Sequence, residues 1–471
     1  MNTLTAAVRA ALETAGLWRE GVRILVAVSG GCDSIALLHA ASRLRPFAAV
    51  HAIHVQHGLR GEDSLADEQF VRRLCGELDL PLTVENADLT GDMHTPGMET
   101  AARESRRRIF AKQLSATRSD VLLTAHHRDD QTETVLMHLL RGCGLHGLCG
   151  MPAVSVFGDA LLIRPFLKLS KAQLQAALES ENLSFREDAS NFETLTPRNT
   201  LRLSVIPQLE QLFANAGEHI ANLSQTLAAD EDFLSAEADA LYSRCLYAKA
   251  PLFMLRRKPL AQAHEAIRRR ALRRWFAEGL AAANLTPDER ALCLEDTCAL
   301  SQLALGPSGA CLNLPCGLHA LCTDEWLHLT CAGKPLQNAE SYVIPLCAEA
   351  EECVLPHLTL SLAKAEALPK NAWSIVLSPE VLSLQPVWRT PDAQDVIRPF
   401  GAPGHKPLRR FFTDRKVDAL MRGCFPVLAV GSEILWIPGL CASEAARLDH
   451  MPQGSIQLTV IGDTPFKSPK E

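Results

Sequence analysis

Aromatic residues make up only 5 % of this chain, too few for base-stacking surfaces over most of its exterior. Positive charge is also short: 471 residues carry a formal net charge of -7, so any polyanion must be held by local basic stretches. No two of the 15 cysteines stand at C-x-x-C spacing, which argues against zinc ribbons, thioredoxin chemistry and ordinary cysteine-ligated iron–sulfur sites. No run of eighteen apolar residues occurs, so no membrane span is expected. The first twenty residues read as an amphipathic helix carrying Arg9, Glu13, Arg19 and Glu20, without the apolar core of an export signal. A cytoplasmic location with reduced thiols is the expectation.

What the sequence does have is length and alternation. At this size two or three domains are expected. Arg23–Val28, Ala48–Val55, Leu82–Asn86, Val121–Ala125 and Ala160–Phe166 read as strands. Helical patterns intervene at Ser34–Arg43, Ser64–Leu78, Glu99–Leu114, Gln131–Leu140 and Ser170–Glu181. The alternation predicts an α/β fold: a doubly wound, mostly parallel five-stranded sheet with helices on both faces. Its ligands belong at the carboxyl ends of the strands, near the switch point. A mainly helical region and a small α+β region follow, giving expected domains of 1–215, 216–334 and 343–465. The stretch Ala332–Ser341 reads as a linker between the last two.

The first strand runs into Ser29-Gly30-Gly31-Cys32-Asp33-Ser34 and then a helix. Two glycines let the backbone approach phosphate oxygens, and N–H groups at a helix start face an anion. Ser29 and Ser34 supply hydroxyls, and Asp33 suits a magnesium ion on the phosphates. An ordinary turn with Ser34 as a cap is the bland reading. No G-x-x-x-x-G-K-[ST] occurs here, so this is not a Walker A loop. The S-G-G-x-D-S pattern instead resembles the PP-loop ATP pyrophosphatases, which transfer AMP to an oxygen and so make it a leaving group.

Further blocks narrow the resemblance. His54-Val55-Gln56-His57-Gly58-Leu59-Arg60 follows the second strand. Glu99–Arg107 reads E-T-A-A-R-E-S-R-R. Ala125–Thr134 reads A-H-H-R-D-D-Q-T-E-T, and Arg141-Gly142 and Arg164-Pro165 lie beyond it. Asp188-Ala189-Ser190-Asn191 precedes Arg198-Asn199 and Arg202. In this order the blocks are similar to those of the tRNA(Ile)-lysidine synthetases, and Ile397–Phe400, Leu408–Asp414, Arg422 and Trp436-Ile437 look like that family's terminal domain. Arg107 stands where the family usually has Tyr, and Gln56 where many members carry Asp.

The resemblance implies ATP and Mg2+ as cofactors and L-lysine and an isoleucine tRNA with anticodon CAU as substrates, in a monomer or homodimer. Ser29, Gly30, Gly31, Cys32, Asp33, Ser34, His54 and Arg103 would hold ATP, with Asp33 on the metal. Asp33, Asp130, Glu133, His126 and Arg106 would be catalytic. His57, Arg60, Arg106, Asp130, Glu133 and Arg202 would meet lysine or the target nucleotide. Asp130 and Glu133, three apart on one helical face, suit a shared cation, either magnesium or the ammonium groups of lysine. Their bland reading is an acidic helix start. Arg103 and Arg106 form a possible fork for an anion. The dense Arg268–Arg274 run, with Arg269 and Arg273, and the Lys406–Arg422 segment, with Arg409 and Arg410, are the candidate tracks for RNA phosphates. His51, His54 and His57 do not make a metal site, because the first two point to opposite faces of a strand.

The expected reaction adenylates the cytidine O2 and then replaces AMP by the lysine ε-amine, with Asp130, or failing that Asp33, accepting its proton. The alternatives are a PP-loop tRNA thiolase, a small-molecule amidating synthetase and a non-catalytic tRNA-binding protein.

Overall fold

The computed structural model describes residues 3–56, 62–87, 98–186, 196–248, 253–285, 292–331, 334–335, 341–356, 358–369, 371–402, 404–417, 419–462 and 464. They form two compact units, Met1–Phe233 and Leu234–Glu471.

In the first unit, β1 (Val22–Ala27), β2 (Ala48–Gln56), β3 (Leu82–Asn86), β4 (Val121–Leu123), β5 (Val154–Phe157) and β6 (Ala160–Ile163) make one sheet of order β3-β2-β1-β4-β6-β5. Every pairing is parallel except β5 with β6. The five predicted strands are all present. The sixth, β5, is the antiparallel arm of a hairpin turned by Gly158 at φ +63°. Its four residues are too few to show a period of their own.

The central strand β1 is apolar at successive positions because both its faces are covered. Ile24 and Val26 pack on one side with Leu4, Val8, Ile35, Leu38 and Leu174. Leu25 packs on the other with Ile53, Leu114 and Leu122. The first layer holds α1 (Thr3–Thr14), α2 (Cys32–Ser42) and α3 (Glu62–Glu77). On the second face lies α4 (Met98–Thr117). Next come α5 (Arg128–Leu140), the single turn α6 (Leu145–Leu148) and α7 (Lys171–Ser180), which returns to the first layer. The chain winds outward from β1 to β3 and then crosses back to β4. The switch point therefore lies between β1 and β4, whose carboxyl ends carry the two loops singled out above.

Past the sheet, α8 (Pro197–Thr200) and α9 (Ile206–Leu212) flank one π turn, Leu201–Val205, closed by the Ile206 N–H on the Leu201 carbonyl. Pro207 explains it: its ring would press on the Leu203 carbonyl in a regular helix, and it has no N–H to donate. The long α10 (Ala216–Cys245) follows.

The second unit contains more sheet than its sequence suggested. Leu246–Ala248 and Met254–Arg256, inside a stretch that reads as helical, pair into a sheet with Trp326–Cys331, Leu318–Cys322 and Cys311–Asn313. Helices Glu265–Ala282 and Leu294–Leu305 share a core with this sheet through Trp275, Phe276 and Leu300. Beyond it, two further sheets enclose Trp388 and Trp436, whose rings meet edge to face at 5.7 Å between centroids. Within this unit Met254 and Trp326 join one cluster with Ile397, Phe411 and Phe412, so the middle and terminal segments share a core.

Asp395 is the buried electrostatic pin of the terminal sheets. Its carboxylate accepts from both Arg389 terminal nitrogens at 2.6 and 2.8 Å and from the Asp392 N–H at 2.7 Å. Replacing Asp395 by Asn should destabilise the chain by about 3 kcal/mol, because Arg389 then stays buried without its counter-charge. Denaturant unfolding followed by tryptophan fluorescence checks this; an unchanged midpoint refutes it.

Candidate active site

The phosphate loop is organised by one hydroxyl. Ser34 Oγ accepts from the Ser29 and Gly30 N–H groups at 3.1 and 3.2 Å and donates to the Gly31 carbonyl at 2.9 Å. Gly30 sits at φ +100°, a conformation that L side chains rarely adopt, and its carbonyl accepts from the Arg186 N–H. Ser34 thus closes the turn from inside the helix. Gly31, at the N-cap of α2, supplies no side-chain cap. A helix start without a side-chain cap is the arrangement found at anion-binding termini. Asp33 stands on the first turn, and its Oδ1 is buried without a hydrogen-bond partner.

Across the switch point, α5 caps itself. The His127 N–H donates to Asp130 Oδ2 at 3.0 Å, and the Asp129 N–H donates to His127 Nδ1 at 3.2 Å. Accepting at Nδ1 leaves the ring proton on Nε2, which lies 3.5 Å from both Asp33 Oδ2 and Asp130 Oδ2. His127 therefore joins the phosphate loop to the start of α5. Burial lowers its proton affinity, but Asp33, Asp130 and Asp129 outweigh burial and raise it. For Asp130, burial opposes ionisation; the His127 ring and N–H and the Arg198 charge prevail and hold it below the ordinary carboxylate range.

One turn further, Glu133 is 1 % exposed and lies between two guanidinium groups. Arg198 Nε donates to its Oε2 at 2.7 Å, and Arg202 Nε donates to its Oε1 at 2.6 Å. Terminal nitrogens of the same arginines reach Asp130 Oδ1 at 3.5 and 3.3 Å. Asp130 and Glu133 do converge on cations, and in this structure those cations are arginines. The two carboxylates and two guanidinium groups balance in charge and pair with one another.

His127, rather than His126, is the histidine that meets Asp33 and Asp130. His126 contacts Thr124 Oγ1 at 3.0 Å, and burial pushes it down to about 4, so it is neutral at ordinary pH. His127, absent from the sequence-based candidates, carries the bridge. Arg198 was likewise passed over as a site residue. Its spacing of four from Arg202 is the signal that puts both on one helical face.

His54 belongs to β2 and contacts the Val28 carbonyl through Nδ1 at 2.9 Å, which steadies the strand end before the phosphate loop. Cys32 is buried at the start of α2. Arg103 and Arg106 are exposed on α4. Arg103 stands close enough to Arg164 to oppose its charge, and Arg164 is anchored to the Pro152 carbonyl at 2.7 Å. Arg107, at the position where Tyr was expected, lies 5.2 Å over the Phe157 ring, so the helix is packed by a cation–π contact. His57, Arg60 and Asp188–Asn191 lie outside the described residues.

The arginines of the Arg268–Arg274 run are engaged within the fold, Arg268 buried and Arg273 and Arg274 exposed. Arg268 is buried and donates to Ser301 Oγ and the Leu260 and Ala263 carbonyls. Arg273 donates to the Leu292 carbonyl and Thr297 Oγ1. Arg269 pairs with Glu265, and Arg274 with Asp239 and Glu278. The charges that looked free in the sequence brace the helix Glu265–Ala282 against its neighbours. Arg409 and Arg410, by contrast, are exposed on the helix Leu408–Asp414.

Among the described residues, no three His, Cys, Asp or Glu side chains form a ready metal cage. The arrangement combines an uncapped helix start, a lone buried carboxylate oxygen and a charge-balanced cluster. Such a set suits a nucleotide's phosphates beside a zwitterion.

Residues 3–209 match the family model of a PP-loop domain, and residues 387–458 that of a TilS substrate C-terminal domain. The chain is 33 % identical to a tRNA(Ile)-lysidine synthase of Symbiobacterium thermophilum, covering 94 % of this chain and 95 % of the relative. It is 30 % identical to one of Bacillus subtilis, covering 89 % and 90 %. A crystal structure of a TILS C-terminal domain aligns at 26 % identity with 26 % of this chain and 96 % of that domain, at a TM-score of 0.24.

The buried His126 gives a pH test. Its folded proton affinity lies below the unfolded one, so stability is complete above about pH 6.5 and falls as pH drops toward 4, by about 3 kcal/mol at most. His126→Asn should flatten the denaturation midpoint between pH 7.5 and 4.5. An equally steep fall in the variant would refute the assignment.

Proposed function

The chain belongs to the tRNA(Ile)-lysidine synthase family, and from that premise we propose that the β1 and β4 loops together join free lysine to C2 of a wobble cytidine in a CAU-anticodon tRNA. It is a carbon–nitrogen ligase that modifies tRNA and uses ATP. The observation that carries the finer reading is the His127 bridge, because it sets Asp33 of the phosphate loop beside Asp130 of the charged cluster.

In the first step the cytidine O2 attacks the α-phosphorus of ATP. An O–P bond forms, the bond to the β-phosphate's bridging oxygen breaks, and pyrophosphate leaves. The start of α2, held in place by the internally bonded Ser29–Ser34 turn, faces the departing phosphates, with Arg103 and Arg106 as outer cations. The unpartnered Asp33 Oδ1 fits a cation ligand, so Asp33 is the residue that would hold magnesium. When bound, that ion neutralises phosphate charge.

In the second step the lysine ε-amine attacks C2, a C–N bond forms, and the C2–O2 bond breaks as AMP departs with the oxygen. Asp130 and Glu133 offer the anionic partners for lysine's ammonium groups, and Arg198 and Arg202 the cationic partners for its carboxylate. Lysine enters by exchanging these internal pairs for its own. The attacking amine must shed a proton. Asp130, whose proton affinity is held below the ordinary carboxylate range, is the proposed acceptor and passes the proton on. The catalytic part is residues 1–215, and the segments 216–334 and 343–465 grip the tRNA, with Arg409 and Arg410 on its phosphates.

Incubation with labelled lysine, ATP, magnesium and CAU-anticodon tRNA should put label into the RNA; changing that cytidine to uridine should abolish it, and label in every tRNA would overturn the substrate assignment. Asp33→Ala should stop pyrophosphate release. Arg202→Lys keeps the charge and loses the forked geometry, so the KM for lysine should rise about tenfold with a smaller change in the KM for ATP. Equal changes in both would contradict the lysine role.

A further inference from the structure

Among the described residues three phenylalanines are conspicuously exposed: Phe213 at 67 %, Phe233 at 64 % and Phe400 at 54 %. Their surroundings differ in sign. Phe233 directly follows Asp230, Glu231 and Asp232, and Glu210 stands one turn before Phe213. Phe400 lies in a segment where residues 398–416 contain six Lys and Arg against one Asp, within a chain of net charge -7.

Phe400 is also held in place. The Ala402 N–H donates to the Pro399 carbonyl at 3.0 Å, closing a four-residue turn with Gly401 third at φ +74°, as a type II turn requires. The turn is fixed from outside. The Arg398 carbonyl accepts from the Glu444 N–H at 2.7 Å and from Ser443 Oγ at 3.1 Å, and the Gly401 N–H donates to Glu444 Oε2 at 3.1 Å. Glu444 is itself paired with Arg447. Flanking Val396–Ile397 and Lys406–Pro407 form a short antiparallel ladder, and the helix bearing Arg409 and Arg410 begins at Leu408. An apolar ring is thus kept in water on a rigid turn fastened by Glu444, within a stretch of chain whose charged residues are mostly cationic. Such a placement adds nothing to a protein core and suits a flat, polyanionic partner.

We propose that Phe400 is a stacking surface for a nucleobase of the tRNA, with Arg398, Arg409 and Arg410 on the neighbouring phosphates. This deepens the reading above and rests on it. The ring supplies sequence-tolerant contact and the arginines supply charge, so the two contributions separate by their response to salt.

The test titrates full-length wild-type protein and variants with intact CAU-anticodon tRNA. Phe400→Ala should bind about tenfold more weakly with an unchanged salt slope, whereas Phe400→Tyr and Phe400→Trp should bind within about twofold of wild type. Tryptophan emission from Phe400→Trp should be quenched by tRNA beyond the change in wild type. Arg409→Ala should reduce the salt slope by about one. Wild-type affinity in Phe400→Ala, or equal loss in the aromatic variants, would overturn the stacking role. If wild type makes lysidine and Phe400→Ala binds normally, the inference about Phe400 alone falls. If wild type neither binds tRNA nor makes lysidine, the functional reading falls with it.

Discussion

A carboxylate with almost no access to water is the constraint around which the catalytic unit is arranged. Glu133 would be untenable as a buried charge without Arg198 and Arg202, and both are bonded to it directly. The same run of chain faces several ways at once. Gln131 donates to the Cys149 and Met151 carbonyls and to Ser224 Oγ, and Thr132 donates to the Gly217 carbonyl. Four successive residues, Asp130 to Glu133, thereby fix the phosphate-loop side, the loop after α6, the start of α10 and the helical segment at 197–212.

The two helices at the switch point show opposite solutions to the same problem. Each starts with unsatisfied N–H groups. In α5 the His127 ring and the Asp130 carboxylate satisfy them from within, and both side chains are thereby held in place. In α2 the cap is a glycine without a side chain, and Ser34 turns inward to shape the loop rather than outward to close the helix. Self-capping yields a rigid acidic cluster; the uncapped start leaves room for a ligand.

The sheet was legible because its strands are apolar in short runs between helices of ordinary period, and β1 to β4 and β6 appear where the alternation placed them. The turn between β1 and α2 was legible from its glycines. Less so was the division of labour between His126 and His127, adjacent residues at the end of a strand that point to different surroundings. Local sequence does not show which one meets Asp33, since that depends on how β1 and β4 lie side by side. The internal bonds of the Arg268–Arg274 run were hidden for a related reason. A helix can aim a guanidinium at its own neighbours' carbonyls, and nothing in the spacing of charges distinguishes that from solvent.

The π turn between α8 and α9 has a consequence for how the arginine pair came to be usable. A helix that accommodates one residue more than its pitch allows will ordinarily expel it, regaining straight hydrogen bonds. Pro207 opposes that relaxation, because in a regular helix its ring would press on the Leu203 carbonyl. The surplus residue therefore acts as a fixed phase shift: residues after it are rotated against those before it. Arg198 and Arg202 keep their aim on α5 while the remainder of the helix, through Leu212, turns to a different azimuth.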